Sequence, residues 1–162
     1  MATDRRDLYA AALTMQKVAK AIEQDVMDFT ADVVKSIALE VAMRTPIDTG
    51  TARSNWRTRL GSPYSVVFRA YRPYPSRYRG GQGGSMGETG NARPVYDQAA
   101  AALSRRKDPQ SPVYITNNLP YIGRLDGGYS RMAPAGFVRA GVQAGLGLAL
   151  NRFRFKNLNR VI

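Results

Sequence analysis

Residues 5–44, RRDLYAAALTMQKVAKAIEQDVMDFTADVVKSIALEVAMR, contain neither proline nor glycine. Leu8, Met15, Ile22 and Phe29 recur every seven residues, and alanine, valine and isoleucine fill the intermediate turns. Apolar residues at this spacing form one face of an α-helix. The stretch therefore predicts one long amphipathic helix, which fixes the fold class of the N-terminal quarter of the chain.

The predicted helix is longer than one small domain requires. At 1.5 Å per residue it would span roughly 60 Å, although the whole chain has 162 residues. Two explanations are open. The helix breaks or bends within residues 22–30, which we favour, or its first half packs on a neighbouring subunit. A heptad-like stripe of this length is typical of a core or an interface.

The segment after the helix predicts a turn and a β-hairpin. Pro46 ends the helix, because the residue before a proline is pushed out of the helical region. The sequence DTG at residues 48–50 favours a turn. Residues 54–60 and the alternating SVVFRAY at residues 65–71 are predicted strands, and GSPY between them supplies the hairpin turn.

Two more elements follow in the second half of the chain. Residues 94–107, PVYDQAAAALSRRK, predict a short helix with Pro94 in its first turn and cations at its C-terminal end. Residues 113–118, VYITNN, predict a strand that pairs with the hairpin. The stretch LPYIGRLDGGYSRMAP is then a turn-rich crossing.

A last helix is predicted over residues 134–157. Its apolar stripe at helical spacing consists of Val138, Val142, Leu146, Leu150 and Phe153. Its glycines, which are Gly141, Gly145 and Gly147, each weaken a helix by about 1 kcal/mol relative to alanine. Glycine also permits very close packing, and the long first helix is the natural partner for such packing.

Together these elements predict an α+β fold. A long N-terminal helix and a C-terminal helix pack on a small, mostly antiparallel β-sheet that is interrupted by a long arginine- and glycine-rich loop. With 44% hydrophobic residues, 162 residues suffice for a single domain with its own core. Its parts are the long helix (1–44), the turn and β-hairpin (45–71), an Arg/Tyr/Gly-rich arm (72–93), a helix, strand and loop (94–133), and the C-terminal helix with a basic tail (134–162).

The arm at residues 72–93, RPYPSRYRGGQGGSMGETGNAR, has no apolar periodicity. Its first half interleaves two residue types, at Arg72, Tyr74, Arg77, Tyr78 and Arg79. Such a long loop in a compact domain is usually functional or disordered. The glycines match neither phosphate-binding pattern, GxxxxGK[ST] or GxGxxG. We favour an arm that orders against a protein partner, and the alternative is a segment that stacks on bases and holds phosphates.

The chain contains no histidine and no cysteine. Disulfides, zinc fingers, cysteine nucleophiles and Ser–His triads are therefore excluded. The carboxylates after residue 45 are Asp48, Glu88, Asp97, Asp108 and Asp126. Their spacing matches no catalytic carboxylate pair that we know. We expect no enzymatic activity, no cofactor and no bound metal.

The net charge of +12 is unevenly distributed. Residues 1–44 have seven acidic and six basic residues, whereas residues 45–162 have five acidic and eighteen basic ones. Such an excess predicts attraction to nucleic acid, an acidic protein face or anionic lipid, with a merely soluble basic surface as the alternative. The N-terminus does not have the pattern of a secretion signal, and no run of about 18 apolar residues occurs, so we expect no membrane association.

Two stretches resemble motifs of a known family. TPIDTGTARSNW at residues 45–56 has a helix-ending proline, a polar turn, Thr-Gly, a basic residue and then Ser-Asn before an aromatic residue. Residues 113–142 contain Asn-Asn, Pro-Tyr, Leu-Asp-x-Gly and Ala-Pro-x-Gly in that order. Together they resemble the neck and tail-completion proteins of tailed bacteriophages, including minor tail protein Z and head–tail morphogenesis proteins. The residues that carry the motifs are Pro46, Asp48, Thr49, Gly50, Arg53, Trp56, Asn117, Asn118, Pro134 and Gly136.

The resemblance covers residues 1–60 and 113–145 in element order, and the arm is not part of it. It implies a virion structural protein that forms a homo-oligomeric ring, expected to be a hexamer, where the head connector meets the tail. The ring would complete the tail and join it to the DNA-filled head. The implied partners are further copies of the chain, head-connector proteins, tail-terminator or tail-tube proteins, and DNA that passes through the lumen without sequence specificity. The implied location is the virion neck or tail, after assembly in the host cytoplasm.

The expected subunit or partner interface combines the arm with the turn-rich crossing, where its residues are Tyr121, Asp126, Tyr129 and Arg131. The turn at residues 45–56 and the loop at residues 117–137 are expected to meet at one edge of the sheet. We expect Trp56 in the core, a turn-stabilising pair between Asp48 and Arg53, and a pair between Asp126 and an arginine of another subunit. The alternative function is a basic nucleic-acid-binding protein, although no helix-turn-helix, RRM or OB signature is present.

Overall fold

The fold was analysed in a computed structural model, which describes residues 5–70, 92–131 and 134–161. Its helices are α1 (Arg5–Arg44), α2 (Thr51–Ser54), α3 (Arg93–Leu103), α4 (Ile122–Arg124) and α5 (Phe137–Arg152), and its strands are β1 (Arg57–Leu60) and β2 (Val113–Thr116). A π-helical turn (Leu125–Tyr129) follows α4, and a 3-10 turn (Leu158–Arg160) follows α5. The predicted α+β class, with long N-terminal and C-terminal helices and a small antiparallel sheet, is confirmed.

Helix α1 is a single helix from Arg5 to Arg44, so the break that we expected within residues 22–30 is wrong. The C-terminal tail packs across this part of α1. The rings of Phe29 and Phe153 lie 4.6 Å apart between centroids, and the carboxylate of Asp25 is buried under the tail. With no proline or glycine in the segment and with packing on the expected hinge, an uninterrupted helix is favoured.

Asp25 closes the contact between α1 and the tail. Its carboxylate accepts hydrogen bonds from the backbone N–H groups of Lys156, Asn157 and Leu158 at 2.9–3.1 Å, and one from the Asn157 side chain at 2.9 Å. These amides open the short 3-10 turn, where no intrahelical acceptor is present, so the carboxylate acts as its cap. One side of the second half of α1 is thereby covered by α5 and the tail, while Ile22 and Val26 remain exposed.

Helix α5 lies antiparallel to α1, with their backbones in contact. A Cβ atom on Gly141 would lie 2.7 Å from the Cα of Val41, which is closer than real Cβ atoms approach. The predicted close packing of the α5 glycines on the first helix is therefore confirmed for Gly141 and Gly145, whereas Gly147 faces open space.

The apolar stripe predicted on α5 is packed only at its ends, where Val138 lies against the core and Phe153 packs on Phe29. The residues buried on α5 are Phe137, Gly141, Gly145 and Ala149. Val142, Leu146 and Leu150 remain 39%, 40% and 54% exposed. Small residues occupy the side of α5 that faces α1 because they let the two backbones approach. Atoms at this distance gain dispersion contacts that separated helices would lack.

The core lies where the second half of α1 meets α3, α5 and the sheet. It is formed by Ala38, Val41, Ala42, Trp56, Ala92, Val95, Ala99 and Phe137. The prediction that Trp56 packs in the core is confirmed: it is 7% exposed, and its Nε1–H donates to Thr45 Oγ1 at 2.8 Å. Because the indole N–H has a partner, this polar atom is buried without a desolvation penalty.

The sheet has two strands, and the predicted β-hairpin is wrong. Strand β1 pairs antiparallel with β2, with Arg57 opposite Thr116 and Leu60 opposite Val113. Residues 65–70 form no strand. The predicted strand at residues 113–118 is confirmed at residues 113–116, which pair with residues 57–60.

Side-chain amides occupy the place that a third strand would take. Gln98 on α3 accepts from Thr58 N–H at 2.9 Å and donates to Thr58 C=O at 2.7 Å, which satisfies the free edge of β1. Asn55 makes the same pair of bonds to the backbone of Phe68, at 2.7 and 2.9 Å. Asn118 donates to the carbonyls of Tyr64 and Val66 at 2.7 and 3.1 Å. Residues 64–68 are therefore held by asparagines instead of by a strand ladder.

Candidate partner-binding recess

The two motif stretches, 45–56 and 113–142, meet in the folded chain. The side-chain amide of Asn117 donates to the carbonyl of Ala52 at 2.8 Å, which ties the strand β2 exit to helix α2. Between the stretches is a recess of about 470 Å³. It is lined by Pro46, Ile47, Asp48, Thr49, Gly50, Thr51, Ala52, Tyr121, Leu125, Tyr129, Ser130 and Arg131. The expectation that this turn and this loop lie together is confirmed.

The first wall is built on the C-terminus of α1. The last carbonyls of a helix have no intrahelical partner, and Arg53 supplies donors to two of them. One guanidinium nitrogen donates to Met43 C=O at 2.7 Å and to Thr45 C=O at 3.2 Å. A buried cation at this position is also favoured by the helix dipole. The pair that we predicted between Asp48 and Arg53 stays a prediction.

A glycine turns the chain between α1 and α2. Gly50 has φ of 80°, which is the left-handed region that side chains with a Cβ disfavour. Ahead of it, Thr49 Oγ1 lies 2.9 Å from Thr51 Oγ1, so the two hydroxyls share a hydrogen bond. The Thr-Gly pair of the motif thus sets the direction in which residues 46–52 face the recess.

The second wall is anchored to α5 through Asp126. Its carboxylate accepts from Val138 N–H at 2.9 Å, and its backbone carbonyl accepts from Gly136 N–H at 2.7 Å. A carboxylate on the first free amides of a helix is stabilised by hydrogen bonding and by the dipole. Within its own chain Asp126 thus caps α5; a pair between Asp126 and an arginine of another subunit stays a prediction.

The rim of the recess carries aromatic and charged side chains. Tyr121 is 41% exposed and Tyr129 is 79% exposed. The guanidinium of Arg124 stacks over the Tyr129 ring, 5.5 Å from its centroid. Arg131 is exposed at the outer end, and Asp48 is half-buried at the inner end. Partial burial, and then the negative charge of Asp48, raise the pKa of the Tyr121 phenol, which keeps it protonated as a hydrogen-bond donor.

This set of groups suits binding better than acid–base chemistry. Phenols, threonine hydroxyls, a carboxylate and a guanidinium offer hydrogen bonds and apolar area. Protein interfaces are enriched in tyrosine and arginine. Within residues 5–70, 92–131 and 134–161, no three acidic side chains lie close enough together to hold a metal ion.

Most of the predicted site residues lie in the recess or directly behind it. Pro46, Asp48, Thr49, Gly50, Tyr121, Tyr129 and Arg131 line the recess. Arg53, Trp56, Asn117, Asp126 and Gly136 support its walls from behind, whereas Asn118 holds residues 64–66, away from the recess. Pro134 is exposed on the connection to α5. The arm residues Arg72, Tyr74, Arg77, Tyr78 and Arg79 lie outside the described residues.

Sequence reasoning missed the apolar floor and one structural support. Ile47 and Leu125 line the recess; both lie within the motif stretches, but neither was named among the residues that carry the motifs. Gln98 supports β1 from a residue forty positions away in the sequence. A single glutamine in an alanine-rich helix gives no local signal for such a contact, whereas Asn117 and Asn118 were recognisable because asparagine commonly bonds to backbone.

Comparison of the chain with protein-family models, with curated proteins and with solved structures found no match. A function for this chain is therefore inferred from its own sequence and geometry. In the described part of the chain, no helix is both long enough and apolar enough to cross a bilayer.

Much of the arginine in the described residues is engaged within the chain. Arg57, Arg59 and Arg93 stack over the rings of Phe68, Tyr64 and Tyr96, at 4.3, 5.1 and 4.8 Å from the centroids. Arg44 pairs with Glu40, and Arg152 pairs with Asp32 at 3.6 Å and bonds to Ser36 at 2.8 Å. The ion pairs offset part of the basic charge, whereas the stacked arginines keep theirs.

Proposed function

We propose that the protein is a virion structural protein of the phage neck or tail-completion type, which forms a ring at the head–tail junction. The observation that carries the proposal is the meeting of the two motif stretches as opposite walls of one recess. Their similarity to the family was read from separate parts of the sequence. If the two stretches belong to one family motif, they are expected to contribute to the same surface.

The chemistry of the recess agrees with an assembly role. It presents tyrosines, an arginine and an aspartate on a framework fixed by Asn117, Arg53 and Asp126. Recognition surfaces bind best when their groups are held in place before the partner arrives. We propose that this recess receives a segment of an adjoining neck or tail protein, and that further copies of the chain complete the ring.

A second candidate, a basic nucleic-acid-binding protein, is favoured by the net charge of +12. The ion pairs of Arg44 with Glu40 and of Arg152 with Asp32 offset part of that charge, and the sequence has no helix-turn-helix, RRM or OB signature. A ring with DNA in its lumen would also need weak contacts, because each additional phosphate contact adds salt-dependent affinity. We therefore place this function second.

The test is electron microscopy of virions assembled without this protein. Tails that fail to join filled heads, or that end irregularly at the head-proximal tip, support the neck function. Complementation with the wild-type chain should restore joined particles. Normal infectious particles in its absence would refute the proposal and favour the nucleic-acid-binding alternative, for which binding of a DNA duplex should weaken steeply as salt is raised.

A further inference from the structure

The first half of α1 carries an apolar stripe that no described residue covers. Leu8, Met15, Ile22 and Val26 are 59%, 74%, 41% and 45% exposed. All residues from 5 to 17 are exposed, so this part of the helix projects beyond the body. Sixteen residues of helix, from residue 5 to residue 20, extend about 24 Å.

The uncovered stripe is the continuation of a packed one. At about 100° per residue, Met15, Ile22 and Val26 fall on the same side of α1 as Phe29 and Ile37. Phe29 packs on Phe153, and Ile37 lies against Gly145. One side of α1 is therefore a helix-packing surface along its whole length, and the described residues cover only the second half of it.

A second apolar face, on α5, is also uncovered. Val142, Leu146 and Leu150 lie on adjacent turns, and each is at least 39% exposed. They lie beside the glycine face that packs on α1, and the part of the chain that the structure describes leaves them exposed. The molecule thus has two different bare helical faces of similar character.

The charges beside the two faces are complementary. Between Met15 and Val26, Glu23 lies one turn from Val26 and borders the stripe, whereas Lys17 and Lys20 fall on the opposite side of the helix. From residue 127 onward the sequence contains no acidic residue, and Arg139, one turn before Val142, lies beside the bare face of α5. Arg152 lies on the packed side of α5, where it pairs with Asp32 and Ser36 of α1. An acidic border on one face and a wholly basic element around the other favour contact between them.

We infer that the bare stripe of α1 on one copy of the chain packs on the bare α5 face of the next copy. This head-to-tail contact deepens the proposed function and rests on it only for the expectation of self-assembly. It covers both faces at once, whereas pairing of two α1 stripes would leave α5 uncovered and place like borders together. A contact between two different patches builds a closed ring when the rotation per subunit closes.

The first experiment uses the absence of cysteine in the natural chain. Two full-length variants, Met15→Cys and Leu146→Cys, are purified separately, mixed, and treated with a short bis-maleimide crosslinker. The expected product joins one chain of each variant, identified by mass spectrometry of the linked peptides. The control is Leu13→Cys mixed with Leu146→Cys, because Leu13 is on the opposite side of α1 and is 40% exposed. Equal crosslinking in both mixtures, or Met15→Cys linked only to itself, would overturn the inference.

The second experiment measures assembly directly by sedimentation velocity. Ile22→Glu should convert the wild-type oligomer to a 17.8 kDa monomer, whereas Leu13→Glu should leave it assembled. The two side chains are matched, at 41% and 40% exposure on opposite sides of one helix. A wild-type chain that is monomeric at all concentrations tested would overturn the inference, as would an oligomer that Ile22→Glu does not dissociate. Both results come from purified protein and do not depend on the virion phenotype, so failure of this contact is distinguishable from failure of the neck function.

Discussion

A Cβ atom placed on Gly145 would lie 2.5 Å from the Cα of Ile37. The α5 backbone therefore rests directly on the α1 backbone, with no side chain between them at this point. Helices α1 and α5 can approach this closely because residue 145 is a glycine and has no side chain. Substitutions at the α5 glycines should accordingly show whether that contact controls stability.

Gly145→Ala should destabilise the protein by about 1–3 kcal/mol, because a methyl group would have to displace main-chain atoms of α1. Gly147→Ala is the matched control, since a Cβ at residue 147 meets nothing within 4 Å. It should stabilise the chain by about 0.5–1 kcal/mol through helix propensity. Urea unfolding measures both values. Equal effects of the two substitutions would contradict the close contact.

Gln98→Leu should destabilise the protein, because the backbone N–H and C=O of Thr58 would both lose their hydrogen-bond partner. Thr58 is only 1% exposed, so water cannot replace that partner. A buried backbone group without a partner costs about 1–3 kcal/mol. Faster amide hydrogen exchange at Thr58 should accompany the loss of stability. Gln110→Leu, at an exposed position outside the sheet, is the control and should change neither quantity. Unchanged exchange at Thr58 in Gln98→Leu would show that another group closes this edge.

Lowering the pH should release the tail from α1. Burial alone would raise the pKa of Asp25, but the hydrogen bonds from Asn157, Leu158 and Lys156 outweigh it and hold the pKa below the ordinary value of 3.8. A carboxyl group whose pKa is lower in the folded state stabilises that state above the unfolded-state pKa. It loses this contribution as the pH falls through the folded-state pKa.

The Asp25 contribution can be isolated with Asp25→Asn. The wild-type chain should be the more stable of the two at pH 6, and the difference should shrink as the pH is lowered below 3.8. Thermal unfolding of both chains across this range gives the comparison. Asp7→Asn, on the exposed first half of α1 and far from the tail, controls for the change in net charge. A constant difference between wild type and Asp25→Asn at every pH would argue against the carboxylate cap.

Tyr129→Ala should leave the fold intact and abolish head–tail joining. The side chain is 79% exposed, and exposed substitutions usually change stability by less than about 0.5 kcal/mol. Complementation of particles that lack the protein, scored by electron microscopy, tests its role in the recess. Tyr114→Ala, at an exposed strand residue outside the recess, should complement. Normal joining by Tyr129→Ala would remove this tyrosine from the proposed binding surface.

The sequence predicted those parts of the fold that depend on local patterns. The long helix and α3 followed from apolar spacing and from the absence or position of proline. The meeting of the two motif stretches was anticipated from the family resemblance that both stretches carry, not from a local pattern. The packing of Trp56 was also anticipated, from its size and apolar character.

The errors concern contacts between distant parts of the chain. The expected break in α1 did not account for the tail, which reaches Asp25 and Phe29 from more than a hundred residues away. The expected hairpin failed because Gln98 takes the edge of β1 that residues 65–71 would have used. The apolar stripe of α5 was visible in the sequence, but its inward face is decided by how closely α1 can approach, which periodicity does not encode.

Trp56 is the only tryptophan of the chain, and it is buried at the point where α1 ends and the first wall of the recess begins. The protein consequently carries an optical probe at its central junction without any label. Emission from this indole should report on the environment of Thr45 alone, free of overlapping signals. Movement of the recess wall on contact with a partner can thus be followed in the unmodified protein, at the low concentrations that assembly studies require.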